Sequence, residues 1–264
     1  RDILTRAVHL QVVSNMAAGV DNIDIAACTQ RGIPVGNTPG VLTEGTADLT
    51  MALLLSIARN LPQASLDART GKWKTWSPTG WLGADLSGAT LGIIGMGKIG
   101  QAVARRALGF GMRIDYSDTQ PKDDIPATFL SIEELLKTSD FVSLHTPLTE
   151  NTYHLLNTTR LGLLKPTAFL INTSRGAVVD PDALHRSLSE GRFAGAALDV
   201  TDPEPLPLDH PLFQLTNCLI LPHIGSATYN TRRRMAELAC ENLLAGFSGK
   251  RLPHCVNPEV YQGH

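Results

Sequence analysis

Four cysteines in 264 residues are too few and too scattered to build a covalent scaffold. Cys28, Cys218, Cys240 and Cys255 form no C-x-x-C spacing, so neither a zinc site nor a disulfide framework is expected, and reduced thiols point to the cytoplasm. An excess of basic charge is also missing. A formal net charge of -2 argues against a nucleic-acid-binding surface. No apolar run approaches the ~20 residues needed to span a bilayer, so no membrane partner is expected. The longest such run, residues 51–55, reads as a piece of a helix. No signal or transit sequence is recognisable. The chain opens on Arg1 with a segment that reads as the middle of a domain, and an N-terminal portion is expected to be missing.

What the chain does have is a regular alternation of strand-like and helix-like segments, the pattern of an α/β fold with a parallel sheet. Short apolar runs closed by turn residues at 10–14 and 33–35 read as strands. Residues 43–61 read as one long helix, capped by Thr43 and ended by Pro62, and followed by a loop carrying Trp73, Trp76 and Trp81. Further strands are expected at 91–94, 113–116, 141–144, 168–172, 194–200 and 218–221, and helices at 99–110, 132–138 and about 227–247. Ser131 with Glu134 is a capping-box pair. Asp180, Pro181 and Gly191 supply the start and stop of another helix.

Gly95-Met96-Gly97-Lys98-Ile99-Gly100 is a G-x-G-x-x-G that follows an expected strand and opens an expected helix. Gly95 permits the tight turn, Gly97 lets backbone approach a pyrophosphate, and Gly100 lets helix and strand pack closely. The helix N-terminus then offers free N–H groups and a positive dipole to phosphate. No Ser or Thr follows Lys98, which excludes a P-loop. Asp118 lies 18 residues beyond Gly100, near the offset of the acid that bonds a ribose 2′-hydroxyl. A carboxylate there repels a 2′-phosphate. NAD is therefore favoured, while the nearby Lys122 keeps NADP open.

Ligands of open α/β sheets bind beyond the carboxyl ends of the strands. Arg175, Glu204 and His223 each follow such an end. Any one of them alone reads as a solvated surface group; three in successive loops match the steps of reducing a 2-oxo acid. Arginine grips a carboxylate through two parallel hydrogen bonds. Histidine delivers a proton to the developing alkoxide, a nearby carboxylate favours its protonated form, and the cofactor carries the hydride.

Four stretches, LGIIGMGKIG (91–100), INTSRGAVVD (171–180), LDVTDPEP (198–205) and LPHIGSAT (221–228), resemble the signatures of the D-2-hydroxyacid dehydrogenase family. Residues 198–221, with Pro205-Leu206-Pro207 and His210-Pro211, resemble its glyoxylate/hydroxypyruvate reductases in particular. The resemblance implies a Rossmann-type doubly wound parallel sheet at 43–224. It also implies an incomplete, flavodoxin-like substrate domain split between 1–42 and 225–264. It makes Arg175 the substrate arginine, Glu204 the partner of histidine, and His223 the proton donor. Thr46 would lie near the nicotinamide end and Asp199 at its carboxamide, and His223 and Gly225 would also contact the cofactor. Thr146 and Pro147 would line the adenine pocket, and Thr173 the nucleoside rim. Gly19 and Val20 would bind the substrate carboxylate. A homodimer is implied too, in which Trp81 reaches the partner's site and limits substrate size. His145 reads as a strand-end histidine beside the adenine pocket.

The competing readings are D-3-phosphoglycerate dehydrogenase or another enzyme sharing Arg–Glu–His, and a non-catalytic corepressor-like protein that senses NAD. Formate dehydrogenases are disfavoured, because a glutamine is expected where Glu204 stands.

Overall fold

Alternating apolar residues along short strands decide the architecture, because successive side chains of a strand point to opposite faces. The computed structural model describes residues 2–122 and 126–262, and it divides into two compact units, Arg1–Gly45 with Ser226–His264 and Thr46–Gly225. In chain order the smaller unit begins with α1 (Asp2–Arg6), β1 (Val13–Ser14), α2 (Ile25–Gln30) and β2 (Val35–Gly36). The first boundary between the units falls inside α3 (Thr43–Ala58).

The larger unit continues with α4 (Leu61–Arg69), β3 (Thr90–Ile94), α5 (Lys98–Gly109), β4 (Arg113–Ser117), β5 (Thr128–Phe129) and α6 (Ile132–Thr138). After these come β6 (Phe141–Leu144), α7 (Thr158–Leu161), β7 (Phe169–Asn172), α8 (Pro181–Ser189), β8 (Gly195–Leu198) and β9 (Cys218–Ile220). The strands form one seven-stranded sheet, ordered β5-β4-β3-β6-β7-β8-β9, with every pairing parallel.

Two apolar layers cover this sheet. Leu91 and Ile93 of β3, Phe141 of β6 and Ile171 of β7 pack with Met51, Leu54 and Ile57 of α3 and with Ala102, Val103 and Ala107 of α5. The intervening residues Ile94, Val142, Leu144 and Leu170 pack with Leu135 and Leu136 of α6 and with Leu184 and Leu188 of α8. This is a doubly wound, Rossmann-like sheet, buried on both faces as an all-parallel sheet must be. Each leucine buried in these layers contributes about 1.5–3 kcal/mol. Strand order reverses at β3 and β6, so a crevice opens there beyond the carboxyl ends of the strands.

Local signals account for most element ends. Ser131 and Glu134 form both halves of the capping box of α6. Asp180 accepts N–H bonds from Asp182 and Ala183 at the start of α8, where Pro181 takes the first position. The region around Pro62 departs from the sequence expectation. The helix expected over 43–61 ends at Ala58, with Thr43 as its first residue rather than its cap. Asn60, at φ 52°, breaks the chain into a left-handed turn, and Pro62 then lies in the first turn of α4. A proline is tolerated at a helix start, where its missing N–H has no partner to lose, so Pro62 begins a helix instead of ending one. The tryptophans therefore follow an unforeseen helix. The short β5 and α7 also went unforeseen, having too few residues to show a period. Among the described residues no helix is long and apolar enough to cross a membrane.

In the smaller unit β1 and β2 pair in parallel, and α9 (Tyr229–Phe247) packs against them. Asn257, fully buried, staples the C-terminal segment to β2. Its Oδ1 accepts the Val35 N–H at 2.8 Å, and its Nδ2 donates to Thr29 Oγ1 at 2.9 Å and to the Ile33 carbonyl at 3.0 Å. Leaving such groups unpaired in a buried site costs about 1–3 kcal/mol each. Asn257→Ala should therefore lower unfolding free energy by about 2–3 kcal/mol in a urea titration. A loss below about 0.5 kcal/mol would show that the staple is dispensable.

Candidate active site

The site residues foreseen within the larger unit, apart from Thr46 and Trp81, sit at or just past the carboxyl ends of its parallel strands. Gly95, at φ 95°, makes the turn after β3, and a side chain there would meet the His145 carbonyl group at 2.8 Å. Gly100 lies so close to the Gly95 carbonyl oxygen that no side chain fits. Gly97 caps α5, and the space beside it is open. Met96, Lys98 and Ile99 complete the turn and the first residues of that helix. Just past β4, Asp118 Oδ2 accepts the Met96 N–H at 2.9 Å, so the carboxylate is held against the glycine-rich turn.

Beyond β6, the Thr146 hydroxyl and His145 Nδ1 are buried with no hydrogen-bond partner. His145 Nε2 lies 2.9 Å from Ser143 Oγ, and burial pushes the imidazole down to about 3. Pro147 follows on the exposed side. An open cradle at Gly97, a carboxylate beyond β4 and an unpartnered hydroxyl beyond β6 fit a dinucleotide laid across the switch point.

The loops after β7, β8 and β9 meet next to this crevice. Asn172, at the end of β7, accepts the Ser174 N–H at 3.0 Å and its hydroxyl at 2.8 Å, and donates to the Arg175 carbonyl at 2.9 Å. Arg175 Nη1 donates to the Ser174 carbonyl at 2.8 Å. Gly176 runs so close to the Thr201 carbonyl that any side chain would collide, and the arginine loop thereby lies against the loop that carries Glu204. Glu204 Oε1 lies 2.5 Å from His223 Nδ1, on side chains 42% and 47% exposed, so the pair remains open to solvent.

Asp199 sets the position of the histidine loop. It is 1% exposed, and its two oxygens accept the N–H groups of Ile224 and Gly225, each at 2.7 Å. Burial pushes its carboxyl above the usual range, a shift that the two N–H bonds only partly offset. Thr46 Oγ1 donates to the Gly225 carbonyl at 3.3 Å, tying α3 to the same loop. Thr173 Oγ1 lies 2.9 Å from Thr50 Oγ1.

Asn172, Thr50 and Gly176 are absent from the sequence expectations. Gly176 was legible in principle, as the glycine directly after Arg175. The other two act through partners far away in sequence or through a loop whose path only the fold reveals. Gly19 and Val20 lie in the smaller unit, on a loop where Asn15 Nδ2 donates to the Gly19 carbonyl at 2.8 Å and Asn37 Nδ2 to the Ala18 carbonyl at 2.7 Å. Trp81, at φ 54° and 47% exposed, lies in the same stretch of chain as the exposed Trp73, Trp76 and Leu82.

The sequence model of the D-isomer specific 2-hydroxyacid dehydrogenase NAD-binding domain matches residues 51–225. A glyoxylate reductase of Korarchaeum cryptofilum is 51% identical, over 98% of this chain and 80% of its own length. The crystal structure of a Thermus thermophilus protein superposes with a TM-score of 0.92 at 56% identity, over 97% of this chain and 81% of the other. That of an NADPH-dependent glyoxylate/hydroxypyruvate reductase of Sinorhizobium meliloti, in complex with NADP and malonate, does so at 0.85 and 37% identity, over 93% and 77%.

The depressed His145 has a consequence for stability. The unfolded chain takes up a proton near 6.5, whereas the folded one does so only near 3. The contribution of the neutral ring is complete above 6.5 and is lost as pH falls from there towards 3. His145→Gln should flatten the acid side of a stability profile measured between about pH 7 and pH 4. An unchanged slope in the variant would mean that the ring protonates without resistance.

Proposed function

The chain belongs to the D-isomer specific 2-hydroxyacid dehydrogenase family, and we propose that it transfers hydride from NADH or NADPH to small 2-oxo acids, above all glyoxylate and hydroxypyruvate. The observation that carries this reading is the Glu204–His223 pair, 2.5 Å apart, in loops packed beside that of Arg175 and next to a dinucleotide crevice. The names of the glyoxylate reductase and glyoxylate/hydroxypyruvate reductase relatives support the substrate class.

The dinucleotide supplies hydride when bound. The backbone of Gly95–Gly100 cradles its phosphates, Asp118 takes the adenosine ribose, and Thr146, Pro147 and Thr173 line the nucleoside side. Thr46, Asp199 and Gly225 frame the nicotinamide end. Arg175 holds the substrate carboxylate and polarises the adjacent carbonyl. Gly19 and Val20, on their loop in the smaller unit, are read as a carboxylate-binding turn. Glu204 accepts a hydrogen bond from the Nδ1–H of His223 and keeps the ring oriented, so that Nε2–H would deliver its proton to the carbonyl oxygen as hydride reaches carbon. General acid help of this kind supplies about 10²–10⁴ in rate.

Residues 1–42 and 225–264 are read as parts of a substrate-binding domain of flavodoxin type, and 43–224 as the cofactor domain. A homodimer is favoured by the exposed Trp73, Trp76 and Trp81, 68%, 79% and 47% accessible, in one stretch beyond α4. The four free cysteines favour a reducing, cytoplasmic compartment.

Oxidation of NADH or NADPH should be fast with glyoxylate and hydroxypyruvate and slower with pyruvate. His223→Gln should lower kcat by about 10²–10⁴ in a protein that still binds the cofactor. A folded, NADH-binding protein that turns over no 2-oxo acid would instead point to a cofactor-sensing protein without catalysis. Trp81→Ala should broaden acceptance of bulkier 2-oxo acids. Equal rate ratios across substrates of increasing size would remove Trp81 from substrate selection.

A further inference from the structure

The loops after β1 and β2 lie side by side, because the two strands run parallel and in register. Asn15 directly follows β1 and Asn37 directly follows β2, and the Asn15 N–H donates to the Gly36 carbonyl at 2.8 Å. Beyond Asn15 the chain makes a half-buried turn whose carbonyls are held one after another. The Ala17 carbonyl accepts the Thr38 N–H at 2.9 Å, the Ala18 carbonyl accepts Asn37 Nδ2 at 2.7 Å, and the Gly19 carbonyl accepts Asn15 Nδ2 at 2.8 Å.

A trans peptide is planar, with its N–H pointing opposite to its C=O. Holding these three carbonyls therefore turns the N–H groups of Ala18, Gly19 and Val20 away from Thr38 and the two asparagines. Among the described residues none accepts those N–H groups. Successive free N–H groups along one turn make a concavity suited to an anion.

The asparagines are themselves anchored. The Asn37 N–H donates to the His254 carbonyl at 3.2 Å, and the Asn37 carbonyl accepts Asn242 Nδ2 at 3.0 Å. Asn242, on α9 and fully buried, accepts the His254 N–H at 3.1 Å through Oδ1. Both backbone polar groups of residue 37 are thus fixed, and its side chain alone reaches the turn. Asn15 Nδ2 donates also to Asn22 Oδ1 at 3.2 Å, so its amide spans the turn from one end to the other.

We propose that Asn37 and Asn15 are positioning residues for substrate binding. They hold the Ala18 and Gly19 carbonyls so that the N–H groups of Ala18, Gly19 and Val20 present themselves to the carboxylate of the 2-oxo acid. Neither side chain touches the substrate. This rests on the reading of Gly19 and Val20 as a carboxylate-binding turn.

Steady-state reduction of glyoxylate by the full-length protein, with calorimetric titration of NADH and of oxamate, tests it. Oxamate is an isostere of a 2-oxo acid that accepts no hydride. Asn37→Leu keeps the size of the side chain and removes its donor. It should raise KM for glyoxylate, and Kd for oxamate in the NADH complex, by about tenfold, the loss of one aiming hydrogen bond. Its kcat and NADH affinity should stay within about twofold, as substrate binding is lost rather than chemistry. Asn15→Leu, at the neighbouring carbonyl, should act in the same direction. Where Asn37→Leu does not fold, Asn37→Ala and Asn15→Leu carry the test. Val20→Pro deletes one of the N–H groups itself and checks the turn separately. KM and oxamate binding unmoved by the asparagine variants but weakened by Val20→Pro overturn the proposal and leave the carboxylate turn standing. A fall in kcat or NADH affinity, with KM and oxamate binding unchanged, gives the asparagines a general structural role and overturns it too. Values unmoved by all of these substitutions overturn both the proposal and the reading beneath it.

Discussion

Asp199 is a carboxylate taken almost wholly out of water, and the arrangement of the loops beyond β8 and β9 depends on it. Its two oxygens hold the N–H groups of Ile224 and Gly225, so the chain leaving β9 is drawn against the end of β8. That position, with His223 in the left-handed region at φ 54°, brings the imidazole to Glu204. A buried acid without partners would be costly, and the backbone N–H groups of a single tight loop are partners that cannot swing away. The histidine is thereby aimed by main-chain geometry rather than by a flexible side chain.

The same economy recurs across the crevice. Asn172 uses its amide to fold the segment from Ser174 to Arg175 back on the end of β7, and Gly176 removes the side chain that would keep this segment from the Glu204 loop. Thr46, Thr50 and Thr173 add hydroxyl contacts that connect α3 to the loops after β7 and β9. Glu204 and His223 are exposed and Arg175 is half-buried, while Asn172, Asp199, Thr46 and Thr50, which hold the loops, are buried. Exposed groups are free to exchange water for ligand, and buried ones hold their geometry through that exchange.

Two buried polar atoms without hydrogen-bond partners lie on the cofactor side of the sheet. Thr146 Oγ1 and His145 Nδ1 lie buried and unpaired beyond β6, directly across from the glycine-rich turn. Native interiors rarely leave such groups unsatisfied, and their place at the switch point agrees with a crevice shaped for a polar ligand. The family to which the chain belongs supplies the ligand class, a nicotinamide dinucleotide.

Much of this was legible from the residues in order. The G-x-G-x-x-G, the capping box of Ser131 and Glu134, and the Asp180-Pro181 start are local signals, since each works through neighbours a few residues away. The parallel sheet followed from strand and helix periods, and the loops of Arg175, Glu204 and His223 from the rule that ligands sit beyond strand ends. Pro62 was misread because proline both ends and begins helices, and the backbone of Asn60 decides which. The work of Asn172 and the contact of Thr50 with Thr173 depended on where distant or looping segments come to rest. Sequence by itself determined the elements and the chemistry available at their ends, because propensity and motif are short-range. Only the tertiary structure decided which of those groups face one another, because hydrogen bonds between loops of different strands exist only once the sheet has brought the loops together.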